Sequence, residues 1–278
     1  LYTGNPSDSW VKAAFVMDGD GNMIELPKHR RRVLFTVSDN PDKVIREGYA
    51  KTLAHLDPYD RARLLYGDWS AMPNVQRPFA FAFDRTRHIG AIQRRPNDYH
   101  YFSLDFNVEP FTAIACNIWD DEQGHHFHTF AEVALKEASI KAMAAWIREQ
   151  CQHDHLIRIT GDRGGYSRAI GTSGSIRLFD ELRKELRISD RQFSVPPNPP
   201  HLKSREDTNY VLSAHPDVKI APVCTGLIAD LQTVEVDRDG SIVKADRSKQ
   251  AQQADRLDNY RYIVNTYMGR WVTHHRRR

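Results

Sequence analysis

The chain has 278 residues, 40% hydrophobic and 27% charged, with a formal net charge of +3. That length buries a full core in one or two domains, no apolar run approaches the ~20 residues needed to cross a bilayer, and so mild a charge is weak support for nucleic acid. Cys116, Cys151 and Cys224 are far apart and form no CxxC pair, which excludes a zinc ribbon or a disulfide scaffold and leaves reduced thiols in a cytoplasmic protein as the expectation. The chain opens LYTGNPSDSW, with no signal peptide and no initiator Met, so the front of a longer protein is expected to be missing.

VLFTVSD (33–39) reads as a strand and DKVIREGYAKTLAHL (42–56) as an amphipathic helix. DPYDRARLLYGDW (57–69) follows as a second helix, with Asp57 as N-cap and Pro58 in the first turn. Residues 71–98, rich in Pro, Arg and Phe, read as an irregular connection carrying the basic stretch RPFAFAFDRTRH (77–88). YFSLDFNV (101–108), FTAIACNIWD (111–120) and HHFHTFAEVAL (125–135) form a meander, turning at Glu109-Pro110 and DDEQG (120–124). SIKAMAAWIREQCQ (139–152) is a helix capped by Ser139, LIRITGD (156–162) a strand ending on Asp162, and SIRLFDELRKEL (175–186) a helix. VKIAPV (218–223) is a short strand, a helix starts at Thr225, VEVDRDGSIVKAD (234–246) is a hairpin, and 249–267 is the last long helix. This order predicts an α/β fold, a mixed sheet with helices on both faces.

Three acidic positions stand out on that scaffold. The two-residue period of a strand puts Phe102, Leu104 and Phe106 on one face and Asp105 mid-strand on the other, where strands disfavour Asp. Asp162 closes a strand, and Asp255 and Asp258 lie three apart on one helix face. Singly, Asp162 reads equally well as a loop or capping residue and Asp255 as a solvated helix residue. Together, carboxylates without His or Cys fit hard divalent cations and phosphoryl-transfer chemistry. His126 and His128 alternate in a way that suits a transition metal, but no neighbouring carboxylate or Cys completes the set, and exposed strand histidines are expected.

The motifs SLDFN (103–107), TGDRGG (160–165), HLKSR (201–205), GSIVKAD (240–246) and DNYRY (258–262) resemble, in order, the ribonuclease H-like nuclease domain of phage terminase large subunits. TGNP (3–6), SDNP (38–41) and RARLLYGDW (61–69) resemble the end of the ATPase domain of the same motors. The resemblance implies an ATPase remnant over 1–72, a linker over 73–98 and the nuclease over 99–278. It implies that Asp105, Asp162 and Asp258 hold two Mg2+ or Mn2+ ions, with Asp255 auxiliary, and that Lys244 contacts the scissile phosphate or the attacking water. Lys203, Arg205 and Arg163 would hold DNA phosphates. The activity implied is metal-dependent cutting of concatemeric double-stranded DNA in the host bacterial cytoplasm, with a small terminase subunit and a portal protein as partners. A monomer is expected for this chain and a pentamer for the assembled motor. No GxxxxGK[ST] loop or Walker-B acid is present, so ATP would act only in the full-length protein, and Thr3, Gly4 and Asn5 would be remnants of its coupling element. Two alternatives remain: another ribonuclease H-like enzyme, such as a transposase or junction resolvase, and an inert DNA-binding or docking module.

Overall fold

A computed structural model of the chain describes residues 5–6, 10–18, 22–71, 77–107, 109–136, 139–166, 177–246, 248–249 and 252–276. Thr3 and Gly4 of the TGNP motif lie outside them. The chain divides into two compact units, Leu1–Arg77 with Thr273–Arg278, and Pro78–Val272.

In the smaller unit, α1 (Trp10–Phe15), α2 (Ala50–Ala54) and α3 (Pro58–Leu64) are the α-helices. Asp57 caps α3 as expected, its carboxylate accepting from the amides of Tyr59 and Asp60. The same carboxylate pairs with Arg77 at 3.1 Å, both groups buried. The strand expected at 33–39 does not form; the segment is extended coil ending in a 3-10 turn, Val37–Asp39. Val33 is 84% exposed and Phe35 62%. Apolar alternation makes a strand only where a neighbour takes its amides, and none among the described residues pairs with this one.

The larger unit begins with α4 (Arg85–His88), capped by Asp84. Its sheet comprises β1 (His100–Asp105), β2 (Phe111–Asp121), β3 (Gly124–Leu135), β4 (Ile157–Gly161) and β5 (Asp217–Ile220). The order is β4-β1-β2-β3-β5. β1–β2 and β2–β3 are antiparallel, while β1–β4 and β3–β5 are parallel, so the sheet is mixed as the sequence predicts. Phe102, Leu104, Ala113 and Ala115 point to one face, against α5 (Ile140–Gln150) and α6 (Leu178–Leu186). Ile114, Cys116 and Phe127 point to the other, against α7 (His201–Ala214), α8 (Thr225–Thr233) and α9 (Asp255–Ile263). All three cysteines are free and buried.

The segment read as a connection enters this core from Pro78 onward: Phe79 is fully buried and its amide donates to the Val234 carbonyl. The last helix starts at Asp255, six residues later than the sequence suggests, and runs through a π-helical turn, Val264–Met268, into α10 (Gly269–Arg276). The stretch 234–246 turns back at Asp239-Gly240 as a short hairpin, as expected, with the antiparallel bridge Val236 to Ile242. Among the described residues, no helix is long and apolar enough to cross a membrane.

Candidate metal centre

β1 and β4 lie side by side with Leu104 opposite Gly161. Asp105 is the last residue of β1 and Asp162 follows β4 directly, so both carboxylates emerge at the C-terminal ends of neighbouring parallel strands, where ligand sites gather in α/β sheets. Gly161 allows this spacing: at φ 150° it lies so close to β1 that a Cβ would collide with the Leu104 carbonyl. The Asp162 amide then donates to that carbonyl at 2.9 Å, which fixes where its side chain starts.

α9 covers the polar face of β1. Ser103 Oγ donates to Asn259 Oδ1 at 3.1 Å, and Asn259 Nδ2 donates to Thr112 Oγ1 at 2.9 Å, pinning the helix to β1 and β2. This sets Asp255 and Asp258, 3% and 2% exposed, against Asp105, 6% exposed. The Asn107 amide bridges the set, donating to Asp105 Oδ2 at 2.7 Å and to Asp255 Oδ1 at 3.0 Å. Asp258 is held from both sides, by Lys244 Nζ at 2.5 Å and by Arg261 Nε at 2.6 Å. Asp162 Oδ1 accepts from the Gly164 amide at 3.0 Å and from Asn198 Nδ2 at 2.5 Å.

The cluster carries more negative charge than its two cations offset. Burial, then the charge of Asp258, then those of Asp255 and Asp162 push the Asp105 carboxyl up to about 7, against the opposing pull of Lys244. Asp258 therefore acts on Asp105 more strongly than Asp255 does. Every donor is a carboxylate oxygen with neither thiolate nor imidazole, the set that hard divalent cations prefer. Among the described residues, no three of these carboxylates bring one oxygen each within 4.8 Å of one another.

The basic residues behave differently from one another. Lys244 reaches Asp258, and Arg163 stays exposed beside Asp162. Lys203 is on the surface, 60% exposed, in an ion pair with Asp207. Arg205 is not on a phosphate-facing surface: it is 3% exposed, donates to the Pro78 carbonyl at 3.1 Å and stacks over Phe81. HLKSR is the first turn of α7 itself, so residues 203 and 205 point in different directions. Sequence reasoning also missed Asn107, Asn198 and Arg261. Asn107 was detectable, since it shares a strand face with Asp105, and Arg261 sits one helical turn after Asp258. Asn198, in a proline-rich stretch 36 residues beyond Asp162, gave no signal.

The histidines are a correction. His126 and His128 are 6% and 5% exposed, and two carboxylates join them. His126 Nδ1 lies 2.6 Å and His128 Nε2 2.7 Å from Asp217 Oδ2, and His126 Nε2 lies 2.8 Å from Asp121 Oδ1. Asp217 arrives by strand pairing, opposite His126 in the β3–β5 ladder. His128 Nδ1 accepts from the Gln93 amide, which leaves Nε2 to face Asp217, and one ligand atom each from His126, His128 and Asp217 lies within 4.8 Å of the others. Burial disfavours the charged ring, but both nitrogens of His126 face carboxylate oxygens, and these raise its pKa above the ordinary imidazole value. The trio is a charged clasp across β3 and β5, on the face of the sheet opposite Phe127.

No family model matches the chain, and no curated protein matches it. Solved structures do. The large terminase of a thermophilic bacteriophage, in complex with ATP-gamma-S, superposes with a TM-score of 0.57 at 16% identity, covering 84% of this chain and 55% of that one. The P22 large terminase nuclease domain gives a TM-score of 0.47 at 15% identity over 70% of this chain and 95% of that one. The large terminase nuclease domain of bacteriophage SPP1, with bound Mn, gives 0.40 at 19% identity over 60% and 86%. The likeness to the thermophilic phage protein assigns the fold: an α/β mixed sheet flanked by helices, as in that large terminase. The chain spans about half the length of that protein.

Proposed function

We propose that this chain is the C-terminal part of a phage large terminase, and that its larger unit is a metal-dependent endonuclease of the ribonuclease H-like kind, cutting concatemeric double-stranded DNA. The observation that carries this reading is the convergence of Asp105, Asp162, Asp255 and Asp258 at the strand ends beneath α9, with Asp105 pushed to about 7. Buried like charges repel, and a set this unbalanced is stabilised by cations. Asp105, Asp162 and Asp258 would hold two Mg2+ or Mn2+ ions, with Asp255 auxiliary through Asn107. Bound there, the ions supply an activated water and charge stabilisation for the leaving oxygen of a phosphodiester.

The chain's own residues do the rest. Lys244, 36% exposed at its side chain, can leave Asp258 for a phosphate oxygen, whereas Arg261 is buried and keeps that carboxylate oriented. Arg163 and Lys203 would steer the duplex backbone without reading sequence. The smaller unit would be the remnant of the packaging ATPase domain, with ATP used only in the full-length motor. DNA, a small terminase subunit and a portal protein would be partners in the host bacterial cytoplasm, this chain a monomer and the motor a pentamer. Plasmid cleavage in Mn2+ tests the reading. Asp105→Ala should abolish cleavage with circular dichroism unchanged, and undiminished cleavage by that folded variant refutes it.

A further inference from the structure

α9 carries half of the carboxylate cluster, yet nothing in its own sequence caps it. The first amides of a helix have no intrahelical partner, and the residue before this one is Ala254, which offers no side-chain acceptor. The acceptor comes from another helix. Asp230, on α8 and 1% exposed, takes the amides of Arg256 at 3.0 Å and Leu257 at 3.1 Å on one carboxylate oxygen. These are the two residues between Asp255 and Asp258.

α8 is held in the same way. Its N-terminal residue has no local cap either, and Glu132 on β3 accepts from the amides of Gly226 and Leu227, both at 2.7 Å. Arg256 reaches back toward Glu132 at 3.7 Å. The sheet therefore fixes α8 through Glu132, and α8 fixes α9 through Asp230. A buried acid is an expensive acceptor compared with a local Ser or Thr cap. Burial, with a smaller push from the charge of Asp255, raises the Asp230 carboxyl, its two amide bonds and Arg256 only partly offsetting this. What a local cap lacks is a link between the start of α9 and a second element.

We propose that Asp230 is a positioning residue for the carboxylate centre: by holding the first turn of α9 from α8, it sets where Asp255 and Asp258 stand relative to Asp105. This rests on the metal-centre reading above. A ligand set has to be held within about 0.5 Å to work, and α9 meets β1 through Ser103 and Asn259, one turn further on. Asn107 and Thr112 also reach Asp255, but Asp230 is the acceptor for the amides of Arg256 and Leu257, and without it the first turn loses its hold on α8.

Two readouts on the whole chain test it, Asp230→Ala against Asp230→Asn. In metal-free protein, hydrogen exchange at the amides of residues 256–258 should accelerate at least tenfold in Asp230→Ala. In Asp230→Asn, whose carbonyl oxygen still accepts, it should stay within about twofold of wild type. By calorimetry, Mn2+ affinity should fall at least tenfold in Asp230→Ala and be restored in Asp230→Asn. A control, Ile147→Ala, destabilised in the core on the other face of the sheet, should bind Mn2+ like wild type. Unchanged exchange in Asp230→Ala overturns the proposal, as does wild-type Mn2+ affinity in that variant, or an Asn variant as impaired as the Ala one. If wild type itself does not bind Mn2+, the metal reading fails, and the exchange result still decides whether Asp230 holds the helix.

Discussion

Replacing Asp105 by Asn should make the metal-free protein more stable while destroying the centre. Asp105 has an ordinary carboxyl value of 3.8 and is pushed to about 7 in the fold. Between those values the folded state holds a proton that the unfolded chain has released, so this group's contribution falls as pH rises and is fully lost above about 7. At 1.36 kcal/mol per unit, folding with Asp105 ionised costs about 4 kcal/mol at pH 8, and folding with it protonated costs about 2 kcal/mol at pH 5. Asparagine has the same shape, presents a carbonyl oxygen to the Asn107 amide and carries no charge. Without metal, Asp105→Asn should therefore gain roughly 10 °C in melting temperature at pH 8, by the scaling for a unit of this size, and clearly less at pH 5. Saturating Mn2+ should reverse the ranking, because ions stabilise wild type and not the variant. Melts at both pH values, with EDTA and with Mn2+, read this directly. A variant that melts below wild type in EDTA at pH 8 refutes the account of a cluster strained by its own charge.

Lys244→Met should leave Mn2+ affinity within about threefold of wild type, or raise it, because the ammonium shares Asp258 with any bound ion; plasmid cleavage should drop at least tenfold. Parallel calorimetry and cleavage assays check this, and equal losses in both would make Lys244 a scaffold residue instead. The histidine clasp sets a second pH dependence. Its two carboxylate partners hold His126 above the ordinary imidazole value of 6.5 despite burial. Its stabilisation is complete below that value and is lost as pH rises through the raised one. The His126–Asp217 contact is a charge-assisted bond of about 2 kcal/mol. In an Asp105→Asn background, chemical denaturation from pH 5 to 9 should show that decline, and Asp217→Asn should flatten it.

The sequence by itself determined much of the fold and singled out acids that the structure places beside one another. Alternation in YFSLDFNV fixes which face of β1 carries Asp105, the meander follows from three apolar runs and two turns, and Asp57-Pro58 and Ser139 mark helix starts through local chemistry. Those signals are local, so a single chain displays them. What the tertiary structure decided depends on which distant elements become neighbours. VLFTVSD has a strand's pattern but no partner among the described residues to pair with. HHFH is expected to be exposed until the β3–β5 register brings Asp217 beside it. Arg205 has a phosphate binder's chemistry, but packing of α7 turns it onto Pro78 and Phe81. The choice between Asp258 and Asp255 belongs to the same class. Both lie on one helix face in sequence, but only packing against β1, with Asn107 between Asp105 and Asp255 and with Lys244 and Arg261 on Asp258, gives them different surroundings. Charge, burial and hydrogen-bond partners are properties of position in three dimensions, and those decided how Asp105 titrates and what holds the helix beside it.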